Sequence, residues 1–367
     1  MNATLREQVD SLYLAKTGGM EMSKIQVGIV GLGWAASGHL IAFKANPDAE
    51  VVAVCSSKDL SPEQLREMCG NDATLYHDYD EFLQHPGLQV VDICTPHFMH
   101  PEQTIKAAQA GKHVMIEKPM ALDHDSLLAM RDAIHKAGVN STVFFELRFI
   151  PHFELINACM DQGLLGDVHY LEVDYYHGVG PWYGQYGWNI KKDKGGSSLI
   201  TAGCHALDAM LVFARREVEE VYARSTKSSA PFAQAYEYDT TSVSLVRFAD
   251  GSVGKCTSSI DCRQPYVFNI KLVGSEGTLW NDQVWSTKLP GLKPDQWVIT
   301  PTAQAESGDV LDHPYGPQID HFINCLKEGR PNDFVGVDEA FKTHRVMFAI
   351  EKSLAEGRAV KMSELAE

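Results

Sequence analysis

The sequence predicts an α/β protein in two parts: a doubly wound parallel sheet, followed by an α+β unit built on a large, mostly antiparallel open sheet. Three observations carry that prediction. From Ile25 to Phe145 short β-branched runs alternate with helix-compatible stretches, the pattern of parallel strands joined by right-handed crossovers. A turn, Gly31-Leu-Gly33-Trp34-Ala-Ala36, stands between the first run and the first helical stretch. Beyond Arg148 longer extended runs take over, and in one of them Tyr266, Phe268, Ile270 and Leu272 alternate with more polar neighbours, the period of a sheet covered on one face.

The first part takes its elements in order. Ile25 to Val30 is a strand, and the glycine turn leads into a helix. A second strand spans Val51 to Val54, then a helix near Pro62 to Met68, a short strand at Thr74 to His77 and a helix near Tyr79 to Gln84. The strand Val90 to Cys94 follows, with a helix ending at Gly111 and a strand at His113 to Ile116. Asp123 is an expected N-cap and Gly138 an expected stop for the next helix, and Ser141 to Phe145 closes the sheet. The second part opens with a helix near Pro151 to Gln162. Extended runs follow at Val168 to Tyr176, Thr240 to Phe248, Gly251 to Ile260 and Tyr266 to Val273, and Ala249-Asp250-Gly251 fits a hairpin turn. Helices near Gly316 to Glu328 and Val337 to Glu356 end the chain. The division is therefore 1–22 as an extension, 23–146 as the first domain and 147–367 as the second.

Composition narrows the function classes. At 367 residues the chain can bury two cores. With 44% hydrophobic and 22% charged residues, it has no apolar run near the roughly 18 residues of a membrane helix, so no membrane partner is expected. The 32 basic and 48 acidic residues give a formal charge of −16, which repels a phosphate backbone and argues against nucleic acid. The 8 cysteines are scattered without a C-x-x-C pair, the usage of reduced thiols in a cytoplasm. Residues 1–22 lack the continuous apolar stretch of a secretory signal and read as one short helix before Gly18-Gly19. No H-E-x-x-H or zinc-like Cys/His cluster is present, and no metal is expected.

Strand, glycine turn and helix in that order are the setting in which a G-x-G-x-x-G pattern binds a dinucleotide, because backbone N–H groups meet the pyrophosphate at the helix N-terminus. Gly31, Gly33, Trp34 and Ala36 are the candidates, with Ala36 in the third glycine's place. An acidic residue after the second strand would hold the ribose of NAD. This chain offers Ser56, Ser57 and Lys58. Hydroxyls and a lysine suit a 2′-phosphate, so NADP(H) is favoured, while the neighbouring Asp59 leaves NAD(H) open. Lys118, at the carboxyl end of a strand, lies on the edge where open parallel sheets bind ligands, and Pro119 biases it towards an extended backbone.

The run Val90 to Ala121 carries Thr95-Pro96, His100, Ala110-Gly-Lys-His113 and Glu117-Lys118-Pro119 in order. It resembles the signature of the glucose-fructose oxidoreductase / inositol dehydrogenase (Gfo/Idh/MocA) family. The likeness extends from Lys24 to Met362 and includes Arg148 with Pro151, Gly166 and Gly274-Ser-Glu-Gly277. It implies a Rossmann domain whose partner sheet makes a homo-oligomer, a dimer or tetramer, through its open face, with the last helices returning towards the first domain. Arg148 resembles a family arginine near the nicotinamide and substrate, while Thr95 and Pro96 follow the strand edge and are expected to line the cofactor with His100, and Glu117 to hold the lysine or the nicotinamide side. His100 could instead cap the next helix, Glu117 could hold a backbone amide, and Arg148 could serve a structural salt bridge.

A second chemical signal is Gly195-Gly196-Ser-Ser-Leu-Ile-Thr201-Ala-Gly203-Cys-His205. Four residues apart on a helix, Thr201 and His205 share a face. The family's motif usually has an aspartate where Thr201 stands, which leaves Lys118 and His205 as the titratable pair and Thr201 as a hydrogen-bonding or relay group. Oxidising an alcohol needs a base for the hydroxyl proton as hydride leaves for nicotinamide. His205 is assigned that role and Lys118 the polarising of the oxygen, with the reverse assignment open. The loop from Pro181 to Asn189 holds Trp182, Tyr183, Tyr186 and Trp188 among glycines. Flat rings stack on the C–H face of a sugar, so Trp182, Tyr183 and Trp188, with Tyr176 and His177, are substrate candidates unless the loop only anchors itself. Asp208 either orients His205 or faces solvent. The expected activity is hydride exchange between nicotinamide and a sugar, sugar derivative or cyclitol. An NAD(P)-retaining glycosidase and a non-catalytic cofactor-binding regulator remain alternatives.

Overall fold

The computed structural model describes residues 23–300 and 310–366; the short helix expected within residues 1–22 lies outside them. The first sheet contains β1 (Ile25–Val30), β2 (Ala49–Cys55), β3 (Thr74–Tyr76), β4 (Val90–Ile93), β5 (His113–Ile116) and β6 (Ser141–Val143). Its order is β3-β2-β1-β4-β5-β6, parallel throughout, the order of a Rossmann sheet. β1 and β4 leave the sheet in opposite lateral directions, and the crevice opens between their carboxyl ends. The connecting helices are α1 (Trp34–Ala45), α2 (Pro62–Cys69), α3 (Tyr79–Leu83), α4 (His100–Gln109) and α5 (His124–Ala137). Their ends follow local chemistry. The Asp123 carboxylate accepts from the Ser126 amide to start α5, and Gly138, at φ 64, ends it.

The second sheet runs β14-β13-β12-β11-β7-β10-β9-β8-β15. Its strands are β7 (Val168–Tyr176), β8 (Val218–Thr226), β9 (Thr241–Phe248), β10 (Val253–Ser259), β11 (Val267–Gly274), β12 (Gly277–Trp280), β13 (Gln283–Ser286), β14 (Val298–Ile299) and β15 (Val360–Lys361). Pairing is antiparallel except between β10 and β7. The β9–β10 hairpin turns at Asp250-Gly251, with Gly251 at φ 89 and the Asp250 carboxylate accepting from the Ser252 amide. One face is covered by α6 (Pro151–Asp161), α7 (Cys204–Ala214) and α9 (Val337–Glu356), through contacts such as Phe153 against Phe268 and Phe213. The helical run 192–214 is long and apolar enough to pass for a membrane span, unlike any run expected from the sequence, and its apolar stretch is 83% buried within the protein.

α8 (Tyr315–Glu328) comes from the end of the chain yet belongs to the first core. Its Tyr315, Ile319, Phe322 and Ile323 cluster with Val27, Ile29, Leu40 and Phe43. The Asn46 amide also donates to Asp320 at 2.6 Å. Residues after 147 are thus shared between the two units, and the tail brings His313 and Tyr315 to the crevice.

Candidate active site

At the β1–β4 switch point the glycine turn forms one end of a cleft of about 480 Å³. Gly31 has φ 89, and a Cβ there would lie 2.7 Å from the Cys94 carbonyl oxygen, so only glycine fits. Gly33 precedes α1, which has no side-chain cap and no acidic residue in its first turn. Its leading amides are therefore unclaimed by a cap. A Cβ at Gly33 would meet nothing nearer than 3.9 Å, which leaves room for a pyrophosphate, and the residues present fit a dinucleotide. Trp34 lines this end, its ring 4.9 Å from that of His313. Ala36 is buried in the core beneath α1 instead. Lys58 also lines the cleft and donates from Nζ to the Leu32 carbonyl at 3.1 Å. Ser56 and Ser57 lie outside the lining, and the Ser56 hydroxyl accepts from the Lys58 amide.

At the other end the sequence brings together Lys118, Thr201 and His205, and adds Glu146. Lys118 Nζ donates to the Thr201 carbonyl oxygen at 3.4 Å. Burial works against the lysine's charge, but Cys204, Glu117 and Glu146 outweigh it and hold its pKa above the ordinary value. Lys118 is a cation. Thr201 sits in a wide helical turn, Leu199–Gly203, ahead of α7. Its hydroxyl donates to Asn189 Oδ1 at 2.9 Å, so it meets the lysine through its backbone, not as a relay hydroxyl. His205 is pushed well below its usual pKa by burial, then by Lys118 and His313. Its Nε2 stands 3.6 Å from Glu146 Oε1, and burial, reinforced by Glu117, raises Glu146 to about 8. Both groups are neutral at pH 7, and their contact is not an ion pair. His205 Nδ1 and Glu146 Oε2 are buried without a hydrogen-bond partner among the described residues, a pair of atoms prepared for a ligand.

Beneath the lysine runs a buried relay. His39, from α1, meets Asp92 Oδ2 at 2.8 Å through Nδ1 and Glu117 Oε1 at 3.1 Å through Nε2. Burial opposes the imidazolium, but Asp92 and Cys94 overcome it and raise His39 well above its usual pKa. Burial likewise opposes the Glu117 carboxylate, and His39 and Lys118 lower it nevertheless. Glu117 Oε2 accepts from the Lys118 amide at 3.1 Å, so this chain of charges holds the lysine's backbone in place. His39, Asp92 and Cys94 offer ligand atoms within 4.8 Å of one another, yet both His39 nitrogens are committed to carboxylates.

Several expected contacts are placed differently. Arg148 does not line the cleft. It forms a buried bidentate pair with Asp208 at 2.8 and 2.6 Å and donates to the Phe334 carbonyl. It is the structural salt bridge, and Asp208 neither orients His205 nor faces solvent. His100 reaches the cleft wall, but its ring nitrogens engage the carbonyls of Pro119 at 2.8 Å and Thr95 at 2.7 Å. It ties two strand ends together and opens α4. Thr95 and Pro96 line the cleft as expected. Tyr176 does not, because successive residues of β7 point to opposite faces; Tyr175 takes that position. His177, Tyr183 and Trp188 line the cleft, with His177 Nε2 and the Tyr183 hydroxyl 2.7 Å apart. Trp182 lies outside it, in a neighbouring cavity. Glu146, Tyr175, Tyr266, His313 and Tyr315 line the cleft without having been anticipated. A signal existed for Glu146, which follows β6 on the same carboxyl edge that singled out Lys118.

Residues 25–145 match the family model described as "Oxidoreductase family, NAD-binding Rossmann fold", and residues 153–280 match the GFO/IDH/MocA C-terminal domain. The chain belongs to this family. It is 26% identical over 350 residues to the myo-inositol 2-dehydrogenase of Thermotoga maritima, covering 93% of this chain and 99% of that protein. It is also 26% identical over 362 residues to the D-glucoside 3-dehydrogenase of Escherichia coli, covering 94% and 99%. Among solved structures, a levoglucosan dehydrogenase in complex with NADH superposes with a TM-score of 0.80 at 21% identity, covering 93% of this chain and 99% of that one. This likeness extends the agreement in fold across both domains.

Proposed function

We propose that this oxidoreductase is an NAD(P)-dependent dehydrogenase or reductase acting on a secondary alcohol or carbonyl of a sugar, sugar derivative or cyclitol. The observation that carries the reading is the convergence of cationic Lys118, neutral His205 and protonated Glu146 at one end of a cleft whose other end is the Gly31–Gly33 turn. When bound, the nicotinamide accepts or returns the hydride. Lys118 polarises the reacting oxygen as a cation, and its raised pKa disfavours the reverse assignment in which it is the base. His205, neutral at working pH, takes the hydroxyl proton, and Glu146, 3.6 Å away, can receive it onward only in its ionised form, above about pH 8. Tyr183, Trp188 and Tyr266 offer flat faces to a ring, and the polar edge comes from His177 and Asn189. The named relatives acting on inositol and glucoside support this substrate class.

The test is absorbance at the reduced-nicotinamide band with sugars, sugar acids and inositols and each oxidised cofactor. Turnover on one polyol class is expected. Silence with every polyol and both cofactors would overturn the reading. NADP(H) is the preferred cofactor on the strength of Lys58, so Lys58→Ala should lower the NADP:NAD ratio of kcat/KM by about tenfold, the value of one lost charge-assisted contact. An unchanged ratio would remove that preference.

The eight free thiols support a reducing cytoplasm. The open face of the second sheet supports a homo-oligomer. Tyr222, Val243, Leu245, Val267 and Trp280 are exposed on strands whose alternate residues are buried, an apolar surface of the kind that marks an interface. Leu245→Arg should shift the mass measured by light scattering to that of the 40.6 kDa chain; an unchanged assembly would place the interface elsewhere.

A further inference from the structure

We infer that the cleft continues into an outer subsite for the second ring of a disaccharide or glycoside, whose reacting ring lies at Lys118 and His205. The inference rests on the dehydrogenase reading and extends it to substrate size. A second cavity, of about 330 Å³, is lined by His177, Gly178, Trp182, Phe232, Arg263 and Tyr266 among others. His177 and Tyr266 also line the inner cleft, so one pair of rings forms the rim between the two spaces. The walls are tied by backbone. The Val179 amide donates to the Ile260 carbonyl at 2.8 Å, and the Cys262 amide to that of His177 at 3.0 Å.

Trp182 is built as a platform. Its indole N–H donates to the Gly178 carbonyl at 3.2 Å. One part of the ring lies against Gly180, where an added Cβ would come within 2.4 Å of it. The side chain is nevertheless 65% exposed. The loop is tied down by Tyr186, which is half-buried and whose hydroxyl donates to the Phe232 carbonyl at 2.8 Å. Phe232 stands 5.4 Å from the Trp182 ring, tilted by 58°. Arg263 sits over Phe232 at 5.4 Å, exposed and with no ion pair among the described residues. A held, exposed indole beside a free guanidinium matches a pyranose ring, with its C–H face on the aromatic and its hydroxyls to the arginine.

The experiment uses the cofactor-loaded protein with paired substrates: glucose and methyl glucoside against cellobiose and maltose. At least one disaccharide should exceed its monosaccharide in kcat/KM. Trp182→Ala should lower the disaccharide:monosaccharide ratio about tenfold, through KM and not kcat, as expected for one lost stacking contact. Arg263→Ala should lower it in the same direction. Equal kcat/KM for single and double rings, or a parallel fall for both in the variants, would overturn the outer subsite while leaving the dehydrogenase reading intact. If no sugar turns over, the dehydrogenase reading fails, and calorimetric binding of the same pairs decides the subsite separately. Tighter disaccharide binding that Trp182→Ala abolishes supports it, and equal binding overturns it.

Discussion

Lys118→Met should lower kcat by about 10³-fold or more while cofactor binding stays within a few fold. Methionine keeps an unbranched apolar stem, one heavy atom shorter, and removes the charged ammonium with its hydrogen bond to Thr201. Lys118 is the cation at the junction of Glu117, Glu146 and the Thr201 carbonyl. Without it the developing alkoxide meets two carboxyl groups and no positive charge. Glu146 also loses the cation that lowers its pKa, so it holds its proton more firmly. Arginine is not a conservative control, because its planar fork cannot occupy the place of a compact ammonium. Single-turnover absorbance gives the chemical step, and quenching of protein fluorescence by reduced cofactor gives binding. A kcat within tenfold of the parent would remove Lys118 from the mechanism.

The parts of this site that short stretches of sequence determine are the parts the sequence displays. Gly31 is legible because a strand, a left-handed turn and a helix N-terminus are consecutive. Lys118 is legible because strand-end position follows from alternation alone. Long-range pairings are different. Arg148 and Asp208 are 60 residues apart, and nothing local says that the arginine turns away from the cleft towards that carboxylate. Tyr175 and Tyr176 are adjacent, and the choice of which one faces the cleft rests on the register of β7 between β10 and β11. β8 was hidden because Glu219, Glu220 and Arg224 make it read as a polar connector, whereas Val221 and Ala223 are its buried face. β12 to β15 are two to four residues each, too short for periodicity to register. Glu146 was obscured by its own setting. For a lone carboxylate among Phe144, Phe145 and Leu147 the only sequence signal is its place after β6, and its burial and its neighbour His205 are what mark it as functional.

His205→Asn should lower kcat by about 10² to 10⁴-fold, and Glu146→Gln should change the pH profile more than the maximal rate. His205 is held well below its usual pKa, so it is neutral through the working range and contributes no limb near neutrality. Glu146 titrates at about 8. Below that pH it keeps its proton and cannot accept one from His205; above it, it can. For alcohol oxidation kcat/KM should therefore rise with pH to a plateau beyond about 8, and for carbonyl reduction the same group should give a fall. Glu146→Gln should remove both limbs. Stability must follow the same proton. Unfolded, the carboxyl returns to about 4.5, against about 8 when folded, so folding takes up a proton between those values. The unfolded state binds fewer protons there, and stability falls as pH rises through that window. Thermal melts at pH 5 and pH 9 should show this loss in the parent and a smaller loss in Glu146→Gln. A variant that kept the kinetic limb near 8 would assign that limb to a group other than Glu146, whatever the melts gave. Loss of the limb together with the change in melting would tie the catalytic proton and the cost of burying it to one carboxyl group.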